Sequence, residues 1–208
     1  MSILIWDTET TGIPNWALPA DDPSQPRLVE IAAVLCDDEG NEIERFESLV
    51  KPDGWVIPDH VAAIHGITTE YAAKEGKPII EVLDGFDALL AKASLSATYG
   101  LRFDDKIVRG ARRRLGRPDG FGTIPVFCVM RGVTPICKLP KKKKGGSGEF
   151  KTPKLSEAVS SILGREHAGA HRAMVDVQAT KEIYFKLKND AEFVAAGSAF
   201  KSNEAKEG

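Results

Sequence analysis

The sequence predicts an α/β layered domain built on a mixed β-sheet. Three observations carry that expectation. A short apolar run, Ile3–Trp6, opens the chain and suits a strand buried on both faces. Leu28–Cys36 (LVEIAAVLC) and Glu42–Val50 (EIERFESLV) flank the turn DDEGN and read as an antiparallel hairpin. Beyond them strand-like and helix-like segments alternate, as in a domain whose helices cover a sheet.

The remaining elements follow in order. Thr68 starts a helical stretch, with Thr68 or Thr69 as its cap. Pro78–Lys92 places Ile79, Val82, Leu83, Phe86, Leu89 and Leu90 at helical spacing. Leu95–Tyr99 reads as a strand, Asp104–Leu115 as a helix with a basic outer face, and Val126–Met130 as a short strand. Leu155–Leu163 and Met174–Lys188 are two further helices. KKKKGGSGEF (Lys141–Phe150) is basic, then glycine-rich, and reads as a mobile loop. From Gly197 the chain is small, polar and charged, the composition of a disordered tail. One domain over residues 1–196 is therefore expected, with 141–150 as an insertion and 197–208 as the tail.

Composition sets limits. Apolar residues make up 42% and charged residues 28%, ordinary for a globular protein, and the net charge is −2. No broad positive field exists, so a nucleic-acid partner would be gripped locally. Cys36, Cys128 and Cys137 are odd in number and form no CxxC pair, which argues against a disulfide framework or a structural zinc site. MSILIW lacks a basic leader region, and no run approaches the roughly 18 apolar residues of a membrane span. The expected setting is the cytoplasm, with no membrane partner.

The chemistry is concentrated in acids. In IWDTETTGI, Asp7 and Glu9 are two residues apart, so on a strand they share a face. Like charges that close raise a pKa or recruit a cation. Phe103-Asp104 follows the strand ending near Tyr99, and HRAMVD brings His171 and Asp176 near the last helix. A spacing of five separates residues by about 140° on a helix, so these two cannot share one helical face. Gly169 disfavours helix, which leaves His171 on a loop and Asp176 in the first turn. Four carboxylates from three segments suit hard divalent cations such as Mg²⁺, which are commonly shared with phosphate. Two such ions can clamp an in-line displacement at phosphorus, and a neutral histidine can take the attacking water's proton.

DTETTG, then FD, then H-x-x-x-x-D resembles the DnaQ-like 3′–5′ exonucleases of the DEDDh type. The resemblance runs from Ile3 to about Leu187 and takes in IHGIT (Ile64–Thr68) and KLSEA (Lys154–Ala158). It implies an RNase H-like fold, with a mixed five-stranded sheet and flanking helices. It also implies removal of nucleotides from 3′ ends with two Mg²⁺ or Mn²⁺ ions. By that resemblance Asp7 bridges both metals, Glu9 and Asp176 hold the water-activating one, Asp104 places the second, and His171 is the general base. The backbone at Thr10 and Thr11, the Ile13 side chain, His65 and Phe103 are implied to lie against the terminal nucleotide. The family often carries His-Asn a few residues before FD, where this chain has Tyr99-Gly100. That departure leaves the ligands intact and bears on substrate preference.

Taken singly, these residues have plainer readings. DTETTG also mimics the start of a calcium loop, but the twelfth place is Leu18 where a glutamate is required. Asp104 and Asp176 suit a helix first turn without any ligand. His65 can simply hold a turn, while His60 and His167 read as solvent-facing. Arg109, Arg112, Arg113, Arg114 and Arg117 read as a solvated face, as do Lys141–Lys144, with phosphate contact as the sharper alternative. Trp6, Trp16 and Trp55 read as packing residues, and Trp16 in NWALP is the one suited to base stacking. The set as a whole predicts a metal-dependent 3′–5′ exonuclease releasing nucleoside 5′-monophosphates, its partner a nucleic-acid 3′ end, DNA ahead of RNA. A non-catalytic nucleic-acid-binding or polymerase-accessory module is the rival, and the intact acidic set argues against it. No dimer signature and no polymerase-docking helix is legible.

Overall fold

The computed structural model describes residues 1–118, 124–141 and 149–199. Among these, β1 (Ile3–Thr10), β2 (Leu28–Cys36), β3 (Glu42–Leu49), β4 (Leu95–Thr98) and β5 (Val126–Cys128) form a five-stranded sheet in the order β3-β2-β1-β4-β5. β1 pairs antiparallel with β2 and parallel with β4, and β5 is parallel to β4. The sheet is mixed, as the hairpin followed by alternating elements predicts.

β1 alternates between two cores. Ile3 and Ile5 face one, completed by α5 (Val129–Cys137), α6 (Leu155–Ala158), α7 (Ala173–Leu187) and α8 (Ala191–Ser198). Leu4 and Trp6 face the other, against α3 (Ile79–Leu90) and α4 (Leu101–Arg114). Trp6 is a packing residue, its ring edge-on to Phe86 at 5.2 Å and its indole N–H donated to Ser96 Oγ at 2.8 Å. Helices α1 (Asp59–His65) and α2 (Thr69–Glu75) carry the IHGIT turn between them. Thr68 caps α2 by accepting the Tyr71 N–H.

Several expectations need correction. β1 does not stop at Trp6 but continues through Thr10, because Asp7 pairs with Ala32 and Glu9 with Glu30 on β2. The strand expected over Val126–Met130 ends at Cys128. Val129 and Val133, four apart, both bury in α5, and an apolar run that short cannot distinguish strand from helix. The basic face of α4 is not solvated at Arg109 and Arg112, which are buried. Arg109 Nε lies 2.8 Å from Asp105 Oδ2, Arg112 pairs with Asp87, and Arg117 lies 2.7 Å from Asp84. Asp84 and Asp87 belong to α3, so Arg112 ties α4 to α3 and Arg117 ties the segment after α4 to it, while Arg109 pairs within α4.

α1 and α8 were not expected. Asp190 starts α8 by accepting the N–H groups of Glu192 and Phe193. Gly197, placed in the tail by composition, lies in α8 and packs on Phe127, whose ring a Cβ at this position would meet at 2.1 Å. Residues 200–208 lie outside the described residues. So do 142–148 of the basic insertion, whose ends are joined where the Lys151 N–H donates to Leu139 O at 2.9 Å. Among the described residues no helix is long and apolar enough to cross a membrane.

Candidate active site

A cavity of about 260 Å³ opens where β1 and β4 end, lined among others by Asp7, Glu9, Phe103, Asp104, His171 and Asp176. Each element delivers its side chain for a local reason. Asp7 and Glu9 continue the Ile3 and Ile5 face of β1, which faces α7. Asp104 enters from the opposite layer, in the first turn of α4. Its two oxygens accept the hydroxyls of Thr8 (2.7 Å) and Thr98, which fixes the carboxylate plane. Asp176 lies in the first turn of α7 and His171 on the loop before it, the arrangement predicted by their spacing and Gly169.

The loop before α7 is built to aim at Asp176. Gly169 at φ +72° and His171 at φ +67° both take the left-handed region, which a non-glycine residue adopts at a cost. Asp176 Oδ2 accepts the His171 backbone N–H at 3.3 Å, and Asp176 Oδ1 meets His167 Nε2 at 2.6 Å. His167 was read as solvent-facing. Its side chain is instead 2% exposed, because the loop folds back onto α7. An ionised carboxylate only accepts hydrogen bonds, so His167 Nε2 carries the proton when Asp176 is charged.

Glu30 is a second residue that sequence reasoning passed over. It stands opposite Glu9 on β2 and is buried. Its carboxylate accepts the Arg172 guanidinium at 2.9 Å and the Ala173 N–H at 2.9 Å, capping α7 from the neighbouring strand. The signal was available, since a lone acid inside an otherwise apolar strand needs a partner.

Burial and mutual repulsion make the site electrostatically expensive without cations. Asp7 has its pKa raised well above the ordinary carboxylate value by burial, then by Asp104, Asp176, Glu9 and Glu30. Glu9 is pushed up to about 8 by burial, then by Asp176 and Glu30. Burial also lifts Asp104, to about 6, against the hydroxyl bonds of Thr98 and Thr8. The folded state therefore holds protons that the unfolded chain has released. Metal-free stability is expected to be highest near pH 4 to 5 and to fall as pH rises to about 8. Thermal unfolding in chelator across that window checks this, and a melting temperature that climbs with pH would contradict it.

Ligand atoms of Glu9, His171 and Asp176 all lie within 4.8 Å of one another, close enough to hold a metal ion. The residues expected at the terminal nucleotide are placed as follows. Phe103 lines the cavity. Thr10 donates its hydroxyl to Gly12 O at 2.6 Å, and Ile13 is 82% exposed. Thr11 exchanges two bonds with Arg27: its N–H donates to the Arg27 carbonyl, and its hydroxyl accepts the Arg27 N–H. His65 is buried with Nδ1 accepting the Ile67 N–H at 3.1 Å, so it holds the turn after α1.

Comparison with known proteins agrees with this architecture. DNA polymerase III subunit epsilon of Aquifex aeolicus (strain VF5) is 27% identical over 197 residues, covering 92% of this chain and 83% of that protein. The fold matches E. coli exonuclease I in complex with a dT13 oligonucleotide at a TM-score of 0.71 and 23% identity, over 90% of this chain and 41% of that one. The zinc ion-bound form of the E. coli exonuclease I–ssDNA complex gives 0.72 and 24%, over 93% and 42%. This chain thus spans less than half the length of those exonuclease I chains. The RNase H-like sheet expected from the sequence is the one observed. The family model RNase T, described as Exonuclease, matches residues 4–184, and with that extent of agreement the chain belongs to the RNase T family of exonucleases.

Proposed function

We propose that the protein is a metal-dependent 3′–5′ exonuclease that releases nucleoside 5′-monophosphates from single-stranded ends, DNA ahead of RNA. The observation that carries this reading is the meeting of Asp7, Glu9, Asp104, Asp176 and His171, from three chain segments, in one cavity. The donor set fits hard divalent ions: oxygen-rich, crowded, and raised in pKa by burial and then by its own repulsion. Asp7, Glu9, Asp104 and Asp176 would hold two ions, Mg²⁺ or Mn²⁺, with Asp7 shared between them. Bound there, such ions supply Lewis-acid activation of water and neutralise charge at the phosphate.

The protein's own groups do the rest. His171, exposed at the cavity mouth, takes the proton from the attacking water at a ring nitrogen. The water oxygen bonds to phosphorus as the bond to the 3′ oxygen of the preceding nucleotide breaks, so the terminal unit leaves as a 5′-monophosphate. Phe103 and Ile13 offer apolar surface to the terminal base. The test uses 5′-labelled DNA and RNA strands with Mg²⁺, Mn²⁺ or EDTA. A metal-dependent ladder that shortens from the 3′ end is expected, and no ladder on either strand would overturn the reading.

His167 acts through Asp176 as a positioning residue. His167→Ala is expected to raise the metal requirement about 10- to 100-fold, the usual cost of losing a partner that orients a ligand. His167→Gln, which keeps a donor of similar reach, restores part of it. Direct Mn²⁺ binding by electron paramagnetic resonance measures both, and unchanged affinity in the alanine variant would rule out the positioning role.

A further inference from the structure

The segment between Ile13 and Arg27 is held far more firmly than a surface connection requires. Gln25, buried, accepts the Asn15 N–H at 3.0 Å and donates to the carbonyls of Asn15 (2.8 Å), Leu18 (3.2 Å) and Pro19 (2.9 Å). Asn15 Oδ1 in turn accepts the Ala17 N–H at 3.0 Å. Lys106 of α4 donates to Leu18 O at 2.6 Å, and Arg114 donates to Asp22 O at 3.2 Å. Gly110 lets the segment press on α4, since a Cβ there would meet Ala20 O at 2.2 Å. This rigid frame displays one large aromatic side chain, Trp16, which is 43% exposed.

Trp16 lies over the outer face of the first turns of α4. Arg102 stacks on its ring at 4.4 Å and Lys106 Nζ lies 5.8 Å from the centroid. Helical steps of about 100° order the neighbouring side chains. Asp104 points inward to the cavity, Phe103 lines its lip, and Arg102 lies outside it, exposed. Ile13, three residues beyond the end of β1, is 82% exposed. An aromatic ring and a guanidinium plane, side by side with a second cation, are the elements of a sequence-tolerant platform for unstacked bases and their phosphates. With a net charge of −2 over the whole chain, this is local positive charge on the same helix turns that carry Phe103 and Asp104 into the cavity.

We propose that Trp16 and Arg102 form a stacking platform for a single strand of nucleic acid, holding the nucleotides immediately 5′ of the terminal one. The inference rests on the nuclease reading for its direction and extends it beyond the cavity. A base stacks on the Arg102–Trp16 pair, and the adjoining phosphate meets Arg102 and Lys106. A duplex keeps its bases stacked on each other and cannot use the platform, so a frayed or single-stranded end is preferred.

The experiment is equilibrium binding in EDTA, where no turnover occurs, read by anisotropy of a 5′-labelled single strand and of a labelled dinucleotide. Trp16→Ala is expected to weaken binding of the longer strand about tenfold, within the range of alanine substitutions at base-stacking sites. Trp16→Phe should retain most of the affinity, which separates lost stacking from a disturbed loop. Arg102→Gln should weaken binding and reduce the salt slope by about one unit. Equal strand affinity in wild type and Trp16→Ala, or a Trp16→Ala loss that Trp16→Phe does not restore, would overturn the platform. Hydrolysis assayed separately on the wild type reports the nuclease reading alone, so platform and activity can fail independently.

Discussion

Asp7→Ala is expected to abolish turnover while making the metal-free protein more stable. Asp7 is buried among Asp104, Asp176, Glu9 and Glu30, each of which opposes its ionisation. In the proposed reading, divalent ions would turn that cost into attraction, and the carboxylate would be the central ligand of the site. Removing it should lower kcat on the order of 10³-fold or more, the scale seen when a principal stabiliser of developing charge is lost. In chelator near pH 8 the same substitution should raise the melting temperature, because the penalty that burial and the neighbouring acids place on ionising Asp7 is gone. It should also shrink the further stabilisation that Mn²⁺ gives the wild type, which grows with the logarithm of metal concentration over Kd. Calorimetry with and without metal reads both signs. Turnover that survived the substitution would sink the two-metal assignment.

His171→Ala is the second large effect, and it should separate chemistry from binding. Loss of a general base lowers turnover by about 10²- to 10⁴-fold. Metal affinity should persist, because Asp7, Glu9, Asp104 and Asp176 remain. The close approach of His171 to Glu9 and Asp176 makes this a real test, since the same geometry admits the ring as a ligand. A parallel fall in Mn²⁺ affinity would move His171 from base to ligand. The backbone at φ +67° calls for a control, because alanine gains no relief there. His171→Asn suits the left-handed region better and lacks a ring nitrogen, so it should lose turnover equally with less disturbance to the loop.

Periodicity made the strands and long helices legible. Ile3–Trp6, the β2–β3 hairpin, and the helical spacing of Ile79, Val82, Leu83 and Phe86 each announce the face they bury. The acids stood out because they interrupt those faces at the end of a strand and at the starts of helices. What escaped notice depended on contacts between distant segments. His167 is an ordinary loop histidine until two left-handed residues turn it onto Asp176. Glu30 gains its purpose only when Arg172 and the start of α7 arrive. Arg112 looked solvated because its partner Asp87 lies on a different helix, which a helical wheel cannot show, whereas Arg109 pairs with Asp105 one turn back on its own helix. The weakest patterns were α1 and α8, short helices announced by little beyond a turn acid.

The sheet's two edges are guarded by different means. Along β3 the outward residues Glu42, Glu44, Arg45 and Glu47 set charge against any approaching chain, and Lys92 and Lys181 reach across to Glu44 and Glu42. At β5 the strand is three residues long, and α8 lies against it through Phe193 and Gly197 on Phe127. α8 is therefore a shield as well as a packing element. Trimming the chain before Ala191 would bare Phe127 and turn a protected edge into a template for self-association. The limit on shortening this protein is then expected to be set by colloidal behaviour, before any loss of the acidic cavity.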